Sequence, residues 1–201
     1  MGRAQLGKRG FFARRPAPPT GGQKFMAFNI PFINDPTPRT VLKMLNLEAS
    51  QLSLPESEQL MKGALAAYVV LQIGAQYFSH SLPPSIFYGV ATAAVLYGAT
   101  LLLLRYLKQE EKFIKTVSAL AIMGAIGAGA YIVMHLIVGI ALPPPLPTER
   151  LTRFLLFPII IWLVFIYAFL FRHVALRPIP AFVTASFYVL VIEIVLSAVK
   201  F

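Results

Sequence analysis

The sequence predicts an all-α, polytopic membrane protein, a bundle of five transmembrane helices preceded by an extended basic N-terminal tail. Composition is the first observation behind this prediction. Of the 201 residues, 57% are hydrophobic and 13% are charged, and the mean hydropathy of +0.70 lies outside the usual range of soluble domains. The second observation is that the apolar residues form long runs. A core of this size could not bury them all, so lipid must cover much of their surface.

The first predicted region, residues 1–61, is a basic tail rich in proline and glycine. It lacks the apolar period from which a core is built, so we expect an extended chain. Within it, the apolar positions of TVLKMLNL share one helical face, which predicts a short amphipathic helix at 40–48 on the membrane surface. We expect the basic residues to meet anionic lipid headgroups or an acidic protein surface, and not nucleic acid.

The second region, residues 62–201, is predicted to hold the five transmembrane helices, each near the roughly 20 residues that cross a bilayer. They are placed at 63–79, 84–104, 117–141, 154–171 and 179–199. The connectors between them are short and contain prolines or charges, which favours antiparallel neighbours. The first of these helices is interrupted by Gln72 and Gln76.

The positions of lysine and arginine predict the orientation of the helices. With the N-terminus inside, 15 of the 18 basic residues lie on the inner side, and only Arg150, Arg153 and Lys200 lie outside. This asymmetry follows the positive-inside rule. We expect a bacterial inner membrane, or a mitochondrial inner membrane as the alternative, with the N-terminus on the cytoplasmic or matrix side and the C-terminus opposite.

A carboxylate in the last apolar run is the most costly residue to place in lipid. Glu193 would cost on the order of 2.5 to 3.5 kcal/mol at the centre of a transmembrane helix. Its predicted depth matches that of His135 and Gln76, which predicts an intramembrane polar cluster of Glu193, His135, Gln76 and Gln72. Such a cluster is either a path for protons or a ligand, or a set of hydrogen bonds that clamps the helices together.

Small residues recur at four-residue spacing in the second and third of the five helices. The pairs are Gly89 with Ala93 and Gly124 with Ala128. Small side chains allow two helix backbones to approach closely, so this spacing predicts that these two helices pack as a tight hairpin.

The sequence predicts no metal, no cofactor and no enzymatic activity. Cysteine is absent, which excludes disulfides, thiolate nucleophiles and cysteine-held metal clusters. A b-type haem between His80 and His135 is the one ligation worth weighing, but His80 falls in a loop before two prolines. The sequence also contains no phosphate loop, nucleophile elbow, paired carboxylates or nucleic-acid module.

Residues 62–201 resemble bacterial members of the Yip1 family. The resemblance rests on helix order and on the runs KFIKTVSALAIMGAIGAG, IIIWLVFIYAFLF and RPIPAFVTASFYVLVIEIVL, while the DLYGP-type motif of eukaryotic members is absent. It implies a non-enzymatic membrane protein that works through partners.

Two main functions follow from the sequence as hypotheses. The first is a non-catalytic accessory or scaffold subunit of a larger inner-membrane complex, which contacts other membrane subunits and lipids. The alternative is a small transporter or proton-coupled channel that uses Glu193 and His135. A haem-bearing membrane anchor forms a third class.

Overall fold

Six α-helices make up most of the structure. In the computed structural model the described residues are 36–79, 81–141 and 148–198, and of residues 36, 148, 149, 153 and 193–198 only the backbone is described. No β-strand occurs within these ranges. The helices are α1 (Pro36–Leu45), α2 (Glu58–Tyr77), α3 (Leu82–Tyr106), α4 (Phe113–Ala141), α5 (Thr148–Arg172) and α6 (Pro178–Ala198). Short 3-10 turns at Gln51–Ser53 and Glu110–Lys112 precede α2 and α4.

The five apolar runs of the sequence lie in α2 to α6, and the helices extend beyond several of the predicted bounds. Helix α2 begins at Glu58 instead of 63 because Ser57 caps it, its hydroxyl accepting a hydrogen bond of 3.3 Å from the Leu60 N–H. Helix α5 begins at Thr148 instead of 154. Polar residues continue a helix past its apolar part, so hydropathy alone underestimates its length.

The outer surface of the bundle indicates a membrane-embedded protein. Three stretches, Leu82–Tyr106, Glu110–Ala141 and Phe154–Arg172, are long and apolar enough to cross a membrane. The described apolar part of α6 is shorter, ending at Ile192. Large apolar side chains point outward over this surface, among them Leu102 at 69% exposure and Phe187 at 67%. Water would not favour so much exposed apolar surface, whereas hydrocarbon covers it without cost.

Helix α4 is the centre of the bundle and packs against α2, α3 and α5. Nearly every residue from Thr116 to Ala125 is buried, so this helix is covered on all sides. Its sequence explains why, because alanine, serine and glycine alternate with larger apolar residues and let neighbours approach from several directions. Helix α6 completes the bundle by packing against α5 and α3.

The small residues predicted to join α3 and α4 face other helices. A Cβ atom on Gly89 would lie 2.6 Å from Ile73 Cγ1 and 2.9 Å from the Val69 carbonyl oxygen, both in α2. Ala93 is partly buried against the core. At Gly89 the closest approach of α3 is therefore to α2, while α3 and α4 also pack against each other. Four-residue spacing identifies a face suited to close packing but does not identify the partner helix.

The segment before α2 closes one end of the bundle. This end, called the basic end below, is where α2, α4 and α6 begin and where Arg105, Lys108, Lys112 and Lys115 lie. The other end is called the far end. Met44 of α1 and Leu54 of the following linker are 0% and 2% exposed within the core cluster. Helix α1 begins four residues before the predicted 40–48, and its Met44 packs into the core of the bundle.

A reversed turn directs this segment back into the bundle. Leu47 follows α1 with a φ of +60°, and the Glu48 N–H donates to the Lys43 carbonyl over 2.8 Å. Together with the bond from the Leu47 N–H to the Met44 carbonyl, this is a Schellman motif, which ends a helix with one left-handed residue. The turn allows residues 51–54 to enter between helices.

Candidate functional site

A cavity of about 410 Å³ lies in the far half of the bundle. This volume is within the range of roughly 300 to 1,000 Å³ that is typical of small-molecule sites. Four helices contribute its walls. The lining residues are Tyr68, Gln72, Ala75 and Gln76 of α2, Gly124, Gly127, Ala128 and Tyr131 of α4, Leu156, Phe157, Ile159, Ile160, Leu163 and Tyr167 of α5, and Val189 and Ile192 of α6.

The cavity exists because α2 and α5 both pack against α4 without packing extensively against each other. The back wall includes Gly127 and Ala128 of α4, and Leu163 of α5 packs so closely on Gly127 that an added Cβ atom would lie 2.6 Å from Leu163 Cδ1. On the α5 side, Phe157 lines the cavity and is 60% exposed, so this wall is not sealed. Pro158 follows Phe157 inside the helix, and its missing N–H leaves the Phe154 carbonyl without its helical partner, which favours a bend at this wall.

Two glutamine amides provide most of the hydrogen-bonding capacity of the cavity. Gln72 and Gln76 are one helical turn apart on α2, so both face the same side. Both are half-buried, and neither side chain forms a hydrogen bond to another described residue. Because both side chains are only half-buried and line the cavity, water or a ligand inside it can satisfy their amide groups.

Two tyrosines close the cavity towards the basic end. A Cβ atom on Gly124 would lie 2.6 Å from Tyr68 Cε2 and 3.1 Å from Tyr167 Oη, so both rings contact α4 at this glycine. The Tyr167 hydroxyl donates a long hydrogen bond of 3.5 Å to the Leu120 carbonyl. Tyr68 and Tyr167 are 1% and 4% exposed, which makes the floor of the cavity a tightly packed layer.

Several buried hydroxyl groups elsewhere in the bundle are satisfied within their own helices, whereas Thr116 Oγ1 and Tyr188 Oη are buried without a partner among the described residues. Thr92 and Thr100 of α3 donate to the carbonyls of Tyr88 and Leu96 over 2.9 and 2.7 Å. Ser118 of α4 donates to the Ile114 carbonyl over 2.7 Å. Side chains bonded in this way are not available to a ligand or a proton chain.

His135 lies beside the cavity and does not line it. Its ring stacks on Phe78 with the ring centroids 4.4 Å apart, and on Tyr131 at 5.9 Å. Its Nδ1 atom is buried and has no hydrogen-bond partner among the residues that the structure describes. Tyr131 is therefore the contact between this histidine and the cavity, since Tyr131 also belongs to the lining.

The predicted polar cluster is assembled in part. Gln72 and Gln76 line the cavity, and His135 stands one turn beyond Tyr131. Glu193 belongs to α6 and follows the lining residue Ile192, but its side chain lies outside the described ones. Gly124 and Ala128, predicted only as packing residues, form part of the back wall. His80, considered above for haem, is also outside the described residues.

Gln51 is a buried polar residue that was not predicted from the sequence. Gln51 is fully buried at the basic end, where its Nε2 donates a hydrogen bond of 2.8 Å to the Leu170 carbonyl near the end of α5. Its Oε1 atom has no partner. Gln51 precedes α2 in a stretch without apolar periodicity, so nothing in the local pattern indicated that it enters the bundle.

Within the described part of the chain, no three histidine, cysteine, aspartate or glutamate residues are grouped as metal ligands. No family model, curated protein or solved structure matches the sequence or the fold. The resemblance to the Yip1 family therefore stays a prediction.

Proposed function

We propose that this chain spans the membrane five times and acts as a non-catalytic accessory or scaffold subunit of a larger inner-membrane complex. Helices α2 to α6 are the five spans of this proposal. The basic residues of the α3–α4 connection and of the segment before α2 then lie on the cytoplasmic or matrix side, as the positive-inside rule requires. The far half, with the cavity, lies in the outer leaflet.

The proposal that the protein does not conduct ions or protons rests on the extent of the cavity, which ends partway along the bundle. The layer formed by Tyr68 and Tyr167 against Gly124 separates the two glutamines from the basic end. A path for ions or protons needs polar groups at successive depths. A cavity that does not reach the basic end favours a protein that holds something within one leaflet over one that passes it across.

A transporter or proton-coupled channel is the second candidate. Its support is that Gln72 and Gln76 face a cavity and form no side-chain hydrogen bond to the part of a neighbouring helix that the structure describes. In this alternative Glu193 and His135 carry the proton, and the tyrosine layer opens during the transport cycle.

Purification in mild detergent tests the accessory role. We expect the tagged chain to retain a second membrane protein in fixed stoichiometry by native mass spectrometry, and a tag on that protein to retrieve this chain. A chain that purifies alone as a stable monomer contradicts the proposal.

Glu193→Gln separates the two candidates, because it removes the ionisable group and keeps the side-chain shape. The accessory role predicts no proton flux in reconstituted vesicles for either protein, whatever the effect of the variant on assembly. Flux in the natural chain that disappears in Glu193→Gln, with assembly intact, would establish the transporter instead.

A further inference from the structure

We propose that the cavity in the far half binds an uncharged amphiphile from the membrane, a molecule with an apolar chain and a small head that both donates and accepts hydrogen bonds. This site adds a ligand to the proposed function and requires only that the bundle lies in a membrane. It does not depend on the identity of any partner subunit.

The chemistry of the walls selects the head group. Each glutamine amide offers two N–H donors and a carbonyl acceptor, and Tyr131 adds a hydroxyl. The described lining contains no charged side chain. A charged head would lose its hydration without a counter-charge, whereas a hydroxyl, carbonyl or amide head would satisfy Gln72 and Gln76 at little cost.

The shape of the cavity favours a ligand with an apolar chain and indicates how this ligand enters. Most of the lining is aliphatic or aromatic, and the wall at Phe157 and Ile160 is only partly buried. An apolar chain can therefore lie against α5 and extend towards the lipid between α2 and α5. The layer of Tyr68 and Tyr167 closes the cavity towards the basic end, so the ligand enters from the surrounding leaflet.

Photolabelling of the full chain in lipid nanodiscs tests this proposal. The probes are a medium-chain alkanol carrying a diazirine, the matching diazirine alkane and the matching diazirine fatty acid. Peptide mapping compares labelling of the cavity residues with that of Leu102, which faces outward on α3 at 69% exposure. We expect the alkanol to label the cavity in preference to both other probes, and unlabelled alkanol to compete with it.

Two variants assign the signal to the cavity. Ala128→Leu narrows the cavity and should lower cavity labelling by all three probes. The matched control is Gly129→Leu on the same helix, where a Cβ atom meets nothing within 4 Å, and labelling should persist. The double variant Gln72→Leu/Gln76→Leu retains the volume but removes the amides. We expect it to lower the preference for alkanol over alkane by about three- to tenfold.

Three results would overturn the proposal: equal cavity labelling by alkane and alkanol in the natural chain, stronger labelling by the fatty acid, or an unchanged preference in the double glutamine variant. The last readout remains decisive even if Ala128→Leu does not fold. None of these results depends on whether a partner protein co-purifies, so the ligand site and the accessory role can fail separately.

Discussion

The basic half and the far half of this bundle are filled in opposite ways. In the basic half, the segment before α2 inserts Met44, Gln51 and Leu54, and the facing residues Val117 and Leu120 of α4 are fully buried. In the far half, no described element enters between α2 and α5, and a cavity of about 410 Å³ remains. The helices alone therefore do not complete the core. The space closes where the segment before α2 supplies side chains, and a cavity lined in part by polar groups remains where no described segment does.

Gly124 lies at the boundary between the two halves, and substituting it should have the largest effect on stability. In Gly124→Ala the new Cβ atom would be 2.6 Å from a Tyr68 ring carbon and 3.1 Å from Tyr167 Oη. Both rings are buried and cannot swing away, so we expect a loss of about 3 kcal/mol, at the upper end for overpacking of a core. Unfolding by SDS titration from mixed micelles measures it.

Gly129→Ala is the control for this substitution, because the same change is made one and a half turns along α4 at a position with open space. It should leave stability unchanged or raise it by up to about 1 kcal/mol through the higher helix propensity of alanine. Equal losses in the two variants would mean that the tyrosine layer does not depend on close approach at Gly124.

The sequence predicts the helical elements well and the contacts between them poorly. Apolar runs and short connectors are local features, so the regions of α2 to α6 follow from hydropathy and spacing. Which face of a helix meets which neighbour depends on the whole bundle. The Gly89 spacing indicated a packing face, but only the structure shows that α2 occupies it.

The same holds for the candidate site: some of its polar residues could be predicted from the sequence, but its shape could not. Gln72 and Gln76 could be selected from the sequence because amides are rare inside apolar runs. The cavity that they face could not, since it results from α2 and α5 failing to meet across α4. Gln51 could not be selected either, because a glutamine in a polar linker has no distinguishing pattern. Its burial depends on the turn at Leu47 and on the space that α5 leaves at the basic end.

Removing the Gln51 side chain should have the second largest effect on stability, because it leaves a cavity in the well-packed basic half. Gln51→Ala deletes the hydrogen bond to the Leu170 carbonyl and leaves a cavity in a fully buried site. We expect a loss of about 1 to 2 kcal/mol in the same SDS titration. Gln51→Leu should cost less, because it fills the space and also removes the unpartnered Oε1 atom.

Gln59→Ala is the control for the Gln51 variants, as this exposed glutamine lies in the first turn of α2. Its substitution should change stability by no more than about 0.5 kcal/mol. If Gln51→Ala behaved like Gln59→Ala, the segment before α2 would rest on the bundle without contributing to its core.

Breaking the ion pair between Glu56 and Lys115 should have the smallest effect on stability. The size of that effect shows whether charge or packing holds the segment before α2 against the bundle. The Lys115 Nζ lies 3.6 Å from Glu56 Oε2, with the two side chains 25% and 57% exposed, so solvent screens much of the attraction. We expect Glu56→Gln to cost less than about 1 kcal/mol and the difference to vanish in high salt. Thermal unfolding in detergent at two salt concentrations measures this, with Glu58→Gln as a control that breaks the more exposed pair with Lys62.

A loss for Glu56→Gln greater than that for Gln51→Ala would show that charge, and not packing with the Leu170 hydrogen bond, fastens the segment to the bundle. The filled half would then open with ionic strength, and the contrast with the cavity half would depend on solution conditions instead of on side-chain volume.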